Sequence, residues 1–396
     1  MKTAPLRFAP APAVSIAEPP PLSLYVHIPW CVRKCPYCDF NSHEARGSVP
    51  EAEYVAALVK DIETALPLVW GRRVVSVFFG GGTPSLLSAR AVDDILTAVR
   101  TLLPLEPLAE ITLEANPGTA EAQKFADFRS AGVNRLSLGI QSFNSRHLQL
   151  LGRIHDGIEA RRAVELAQRH FDNINLDLMY ALPEQGMDEM LADLHAAIAF
   201  GPQHLSAYHL TLEPNTQFYL TPPNLPDDDL AAEMQLAVEA ELAGAGYEHY
   251  ETSAFAQKNR RCQHNLNYWL FGDYLGIGAG AHGKLTQHDR VLRQMRFKQP
   301  RAYLEHALKS ASVQESHTVA VEDLGFEFMM NALRLTEGFP LALFEERTGL
   351  PPTAVLKALD EAERRGLVER GLERVRPTEL GRRFLNELLQ GFLPEA

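Results

Sequence analysis

Cysteine is scarce in this chain, with four among 396 residues, too few for a disulfide framework. Long apolar runs are missing as well. No stretch of about 18 apolar residues occurs, which excludes a transmembrane helix. Basic excess is absent too, since 38 Lys and Arg face 50 Asp and Glu for a net charge of −12. That balance argues against a protein whose main business is gripping nucleic-acid phosphates. The start lacks the charged segment, apolar run and small-residue cleavage site of a secretory signal. Lys2 and Arg7, with no acid before Glu18, are thin grounds for a transit peptide, so a cytoplasmic location is expected. What is present is 46% hydrophobic residues, enough for a real core. The length suits two or three domains.

Residues 1–21 carry six prolines, at positions 5, 10, 12, 19, 20 and 21, and read as an extended, poorly ordered tail. From 22 to about 212, β-rich runs at 22–28, 74–80, 110–115, 133–141, 171–182 and 204–212 alternate with helical periodicity such as 51–69 and 156–170. Alternating βα units imply a parallel sheet with helices outside it. Six strands are too few for a closed eight-fold barrel, so the fold expected over 22–227 is α/β, a partial (β/α)6 barrel. Its ligand would sit at the carboxyl ends of the strands. Residues 228–318 read as a small α+β middle domain, irregular and rich in Gly, Asn and aromatics after a helix at 228–244. Residues 319–396 read as a winged-helix-like domain, with helices around 344–366 and a strand pair near 367–375. From 340 onward nine Arg and Lys face ten Asp and Glu, a net of −1. Without a basic face, packing or partner docking is the better reading than DNA binding.

The placement of the cysteines matters more than their number. Cys31, Cys35 and Cys38 form a C-x3-C-x2-C loop directly after the first strand, and Cys262 stands alone. Three thiolates on one loop can hold three corners of an iron–sulfur cube, leaving the fourth iron open to a small molecule. Zinc would require a fourth ligand, for which His43 is available, although the spacing lacks paired C-x2-C knuckles. Polar residues gather at successive strand ends. Gly80, Gly81, Gly82 and Thr83 close the second strand, where glycines let backbone approach a ligand and where their amides could meet its amino-acid end. Glu114 ends the third strand, Gln141 the fourth, Asp177 lies on the fifth and Thr211 follows the sixth, with Arg153 between. Each alone could be a cap or a buried hydrogen-bond partner; together they mark one pocket. Carboxylates suit ribose hydroxyls, and arginine suits a carboxylate.

A C-x3-C-x2-C loop after the strand that opens a βα series resembles the radical S-adenosylmethionine superfamily. The strings Y-V-H-I-P-W-C (25–31), G-G-G-T-P (80–84), E-A-N-P (114–117), G-I-Q-S-F (139–143) and G-R-I-H (152–155) narrow this. They are similar to the oxygen-independent coproporphyrinogen III oxidase-like family, in order along residues 25–212. The resemblance implies a 4Fe-4S cluster on Cys31, Cys35 and Cys38, whose open iron is chelated by S-adenosylmethionine. It further implies that an electron passed to the sulfonium generates a 5′-deoxyadenosyl radical, with the protein orienting the cofactor and excluding water. By the same resemblance Tyr25, Gly81, Gly82, Thr83, Glu114, Gln141, Arg153, Asp177 and Thr211 contact S-adenosylmethionine, and Tyr37 lies against its adenine.

Two departures separate branches of that family. The coproporphyrinogen dehydrogenases carry a further Cys two residues after the third ligand, where this chain has Phe40, and an arm closing over the porphyrin that the Pro-rich tail does not match. The string H-N-x-x-Y-W at 264–269 resembles the signature of the haem-chaperone members, as does the run at 381–392. The resemblance implies haem as cargo, with His264 as ligand of the haem iron and Tyr268 and Trp269 shaping the pocket, because neutral imidazole is a good axial ligand. It also implies haem-accepting apoproteins, some of them respiratory, as partners, allows a homodimer, and makes membrane contact peripheral. The alternative is an oxygen-independent coproporphyrinogen III dehydrogenase. Cys262, two residues before His264, reads as a second iron ligand or a small buried hydrophobe. His282, in a Gly-rich segment at 276–283, is a lesser haem-ligand candidate.

Overall fold

The expected strands form, and their alternation explains how one sheet serves both a core and a site. The computed structural model describes residues 14–394. Strands β1 (Leu22–Ile28), β2 (Val74–Gly81), β3 (Leu105–Ala115), β4 (Arg135–Gln141), β5 (Ile174–Tyr180) and β6 (His204–His209) pair in parallel, in that order. On β1, Leu22, Leu24, Val26 and Ile28 are buried in one cluster with Tyr54, Leu58 and Ile62 of helix Glu51–Val69. Successive side chains point to opposite faces, so Ser23, Tyr25 and His27 line the inside. Likewise Val77 and Phe79 of β2, Ile111 and Leu113 of β3, and Leu136 and Leu138 of β4 join the outer core. Their neighbours Ser76, Phe78, Glu110, Thr112, Glu114, Arg135 and Ser137 turn inward. Helices between the strands cover the outer face, while on the inner face helix Gln263–Trp269 packs against Phe78, Glu110 and Ser23.

Between the strands, helix Gly157–His170 starts on a capping box, with Asp156 accepting from the Glu159 backbone and Glu159 reaching back to Asp156. Glu51, in the first turn of its helix, accepts from Ser88 N and Oγ at 2.6 and 2.8 Å, tying two helix starts together.

Residues 228–318 do not build a sheet of their own. They supply helix Asp228–Gly244 and strands β7 (Glu248–Glu251), β8 (Ala254–Ala256), β9 (Asp273–Ile277), β10 (His282–Gln287), β11 (Arg290–Arg296) and β12 (Val313–Thr318). These extend the barrel sheet to twelve strands, in the order β12-β11-β10-β9-β1-β2-β3-β4-β5-β6-β8-β7. Strand β9 is parallel to β1, and the remaining additions are antiparallel. A partial barrel leaves unpaired backbone groups at both edges, and these strands satisfy them.

The C-terminal region has helices Leu341–Thr348 and Thr353–Arg364 and a small antiparallel sheet of Phe339–Pro340, Arg374–Pro377 and Val368–Arg370. Its core gathers Phe328, Phe339, Phe344, Leu359 and Val375. Part of the proposed tail, residues 1–13, lies outside the described residues. The part that follows corrects the expectation of poor order: Val14 and Ile16 are buried with Val291, Val319 and Leu324, and Ile16 N–H donates to His288 O at 2.9 Å. Two apolar side chains among prolines gave that segment something to bury. Among the described residues no helix is long and apolar enough to cross a membrane.

Candidate cofactor site

The cysteine loop leaves β1 through Pro29 and Trp30, and Trp30–Cys31 pairs with His43–Glu44 to close it at its base. Within it Cys38 N–H donates to Cys35 O at 3.1 Å, and Lys34 Nζ donates to the carbonyls of Phe40 and Ser42 at 3.1 and 3.3 Å. This holds the loop over the carboxyl ends of the parallel strands, above a cavity of about 360 Å³, within the usual range for small-molecule sites. Cys31, Cys35, Cys38, Tyr37, Gly81, Gly82, Thr83, Glu114, Gln141, Arg153, Asp177 and Thr211 all line it. Thus the structure brings together residues from five strand ends and two loops.

Tyr25 is the exception. Its hydroxyl lies 2.8 Å from His27 Nδ1, whose Nε2 is 2.9 Å from Asn41 O, and the ring leans on Phe78 beneath the cavity floor. Through His27, Tyr25 braces the floor near Glu114 while part of its own surface stays accessible.

The glycines work differently from the expectation. At Gly81, with φ of +108°, a Cβ would stand 2.5 Å from His27 Cε1, and at Gly82 it would stand 2.6 Å from Trp30 O. They allow the end of β2 to press against the cysteine loop. The Gly82 and Thr83 amides are already spent, donating to Ile28 O at 2.7 Å and Trp30 O at 2.8 Å, so they are not free donors for a ligand. Thr83 Oγ1 instead accepts from Asn116 Nδ2 at 3.0 Å.

Of the carboxyls that line the cavity, Glu114 and Asp177 stand on the strands themselves. Burial pushes the Glu114 pKa up to about 8, the nearby Asp177 charge adds to this, and the Gly81 amide opposes it. Asp177 is raised by burial as well, against hydrogen bonds from Ser137 Oγ at 2.9 Å and Asn175 Nδ2 at 2.9 Å. Together they offer both an acidic donor and acceptors, which suits paired hydroxyls. Tyr37 is pushed up by burial and stays a neutral phenol; its ring is 6.3 Å from Phe218. Gln141 sits at φ of 65°, an uncommon conformation for a residue with a side chain, just after a break in the β4–β5 register. Thr211 Oγ1 donates to Glu213 Oε1 at 2.7 Å on the exposed rim.

Asn116, Ser137, Tyr208 and His209 also line the cavity and were missed as candidates. Asn116 stood inside a motif already noted, E-A-N-P. Ser137 follows from the two-residue alternation of β4.

The donor set fits a cluster better than a single ion. A lone tetrahedral zinc draws its thiolates within about 4 Å of one another. Among the described residues, only Glu110, Cys262 and His264 bring three ligand atoms within 4.8 Å of one another. The loop thiols are spread wider, as ligands to separate irons of a cube must be. Burial raises Cys31 and Cys38 as free thiols, with Thr83 and Ser42 respectively opposing this; bound iron would reverse that preference. Phe40, at the rim, is 59% exposed.

His264, Tyr268 and Trp269 are not at this cavity. They lie on helix Gln263–Trp269, whose start is buried at the opposite, amino-terminal end of the strands. Glu110 Oε1 is 2.9 Å from His264 Nδ1 and also receives the backbone N–H groups of Gln263 and His264 at 3.2 and 3.3 Å. Burial alone would raise Glu110, but His264, Arg135 and the Gln263 amide outweigh it and hold the carboxyl well below the usual range. An ionised carboxylate only accepts, so Nδ1 carries the hydrogen and Nε2 keeps its lone pair. His264 itself is held neutral by burial, with Glu110 opposing. Its ring stacks on Phe78 with centroids 4.1 Å apart, and Cys262 Sγ is 3.5 Å from Nε2. Cys262 is a fully buried thiol that burial pushes far up. Tyr268 meets Tyr274 edge-on at 4.9 Å, and Arg334 lies over the Trp269 ring at 4.2 Å. His282 is exposed on β10.

Comparison with known proteins agrees with this architecture. Residues 25–197 match the model of the radical SAM superfamily, and residues 319–384 match that of the HemN C-terminal domain. The coproporphyrinogen III oxidase HemN of Escherichia coli, a radical SAM enzyme, superposes with a TM-score of 0.80 at 23% identity, covering 94% of this chain and 90% of that one, a likeness of fold. The chain is 49% identical over 378 residues to the heme chaperone HemW of Escherichia coli, covering 95% of this chain and 99% of that protein. It is 47% identical over 382 residues to HemW of Haemophilus influenzae, covering 95% and 99%. With the polar strand ends and cysteine loop in place and identity sustained along nearly its whole length, the chain belongs to the HemW family of radical S-adenosylmethionine proteins.

Proposed function

We propose that this protein is a haem chaperone that binds haem and hands it to acceptor haemoproteins, and that Cys31, Cys35 and Cys38 hold an open-cornered 4Fe-4S cluster binding S-adenosylmethionine in the strand-end cavity. The observation that carries the reading is identity near one half over 99% of a heme chaperone. The cavity supports the cofactor part. Its three spread thiols suit a cube, Glu114 and Asp177 suit ribose hydroxyls, and Tyr37 offers a flat neutral face to adenine. Arg153, lining the same cavity, supplies a positive charge suited to the methionine carboxylate. A cluster held by Cys31, Cys35 and Cys38 would supply single-electron chemistry toward the sulfonium of the bound ligand.

His264 supports the haem part through its unprotonated Nε2, which faces the Cys262 thiol at 3.5 Å and is the atom an iron would take. In this arrangement one ring face stacks on Phe78, Nδ1 meets Glu110 and Cys262 Sγ lies 3.5 Å from Nε2, so ligation by His264 requires helix Gln263–Trp269 to leave its seat on Phe78 and Glu110. Phe40 in place of a second cysteine favours carriage over decarboxylation.

The test is anaerobic. Reconstituted protein should bind about four irons and four sulfides, and Cys35→Ala should lose nearly all of them. Haem added to the wild type should give a Soret band and pass to an apo-acceptor, while His264→Ala should bind haem at least tenfold more weakly. Absence of haem binding in the wild type sinks the chaperone reading, equal binding by His264→Ala sinks the ligand assignment, and turnover of coproporphyrinogen to protoporphyrinogen would make the protein a dehydrogenase.

A further inference from the structure

The Arg153 guanidinium is divided between two loops. Its Nη2 donates to Asn116 Oδ1 at 2.6 Å and Gly139 O at 2.8 Å, while Nη1 lies 3.7 Å from Cys35 Sγ, within reach of an N–H···S hydrogen bond. The backbone enforces this placement. Gly152 has φ of +69°, and a Cβ there would stand 2.8 Å from Pro36 Cδ, so the Arg153 loop is seated on the cysteine loop beside Cys35. Asn116 is fixed from its other side by donating to Thr83 Oγ1 at 3.0 Å. A guanidinium has five N–H groups. Three are used by Asn116, Gly139 and Cys35, and the Tyr37 hydroxyl is a further hydrogen-bond neighbour of the same guanidinium.

We infer that Arg153 donates a charge-assisted hydrogen bond to the Cys35 thiolate of the bound cluster and thereby raises its reduction potential, with Asn116 as the residue that holds the guanidinium in place. This rests on the cluster reading of the cysteine loop. Reduction adds one electron to a cluster already surrounded by thiolates. A donor and a positive charge at one ligand sulfur favour the reduced form, since hydrogen bonds to the sulfurs and nearby charge set such potentials. Arg153 would then touch the cluster ligand and S-adenosylmethionine at once.

The experiment is a dithionite titration of the anaerobically reconstituted, S-adenosylmethionine-free cluster, read by electron paramagnetic resonance, in wild type, Arg153→Lys, Arg153→Met and Asn116→Ala. Iron and sulfide content is measured on each sample. The expected order of midpoint potentials is wild type highest, Arg153→Lys and Asn116→Ala lower, and Arg153→Met lowest. Equal midpoints at equal cluster content overturn the inference while leaving the cluster reading intact. A wild type that binds no cluster overturns both. Should Arg153→Met fail to hold a cluster, Asn116→Ala, which retains the arginine, decides: an unchanged midpoint there overturns the proposal.

Discussion

Glu110 and Glu114 stand four residues apart on the same face of one strand, and the protein treats them in opposite ways. Glu110, at the closed end of the barrel, accepts from His264 and the Gln263 amide, has the Arg135 guanidinium 3.9 Å away, and is kept ionised against its burial. Glu114, at the open end, is buried beside Asp177 and pushed up to about 8. The lesson concerns partners rather than burial, since both are desolvated. One end of the inner face is a finished network, with its charges matched. The other is a network with carboxyls, a guanidinium and three thiols whose needs the protein alone leaves unmet, which is how a cofactor site differs from a structural one.

The contrast breaks most severely at Glu110. Replacing it by Ala leaves Arg135 as a buried charge without its carboxylate and should cost about 3–5 kcal/mol, measured by urea denaturation at pH 7. Because its folded-state pKa lies well below the unfolded value of about 4.3, the stabilisation is complete above the unfolded value and is lost as pH falls from there toward the depressed folded-state value. Wild type should therefore lose its advantage over Glu110→Ala in strong acid; an advantage unchanged between about pH 5 and about pH 2 would contradict the assignment.

Glu114 should show the opposite slope. The folded state keeps a proton that the unfolded chain has lost, so stability declines as pH rises from about 5 to about 8. Glu114→Gln removes that decline and should gain about 2–3 kcal/mol on the wild type at pH 8 relative to pH 5.5, while binding S-adenosylmethionine about tenfold more weakly. Parallel stability curves for the two proteins would count against a raised carboxyl.

A smaller effect tests how firmly the C-terminal region latches the closed end. Arg334 lies over Trp269 and pairs with Glu251 at 3.2 Å. Arg334→Ala should cost about 1 kcal/mol and lower the melting temperature by a few degrees, with no change at the cysteine end.

Much of this was legible beforehand. The apolar, outward half of each strand announced itself by alternation, and the cysteine spacing with its strand-end polar residues marked the cavity. The glycines of 80–82 show the limit of motif reasoning. Their small size was readable, but whether the missing side chain made room for a ligand or for His27 and Trp30 depended on a neighbouring loop. The joining of 228–318 to the barrel sheet was hidden, since β9 reaches β1 from some 250 residues away in sequence and edge pairing leaves no local periodicity.

The sequence by itself determined the cofactor-bearing loop, the parallel strands and the two-faced alternation, because covalent spacing and side-chain period are local properties. Only the tertiary structure decided that His264 is folded against Glu110, that Arg153 leans on Cys35 and that two glutamates on one strand differ in charge. Those outcomes depend on which distant groups share a low-dielectric space, and distance through space is what a linear chain does not carry.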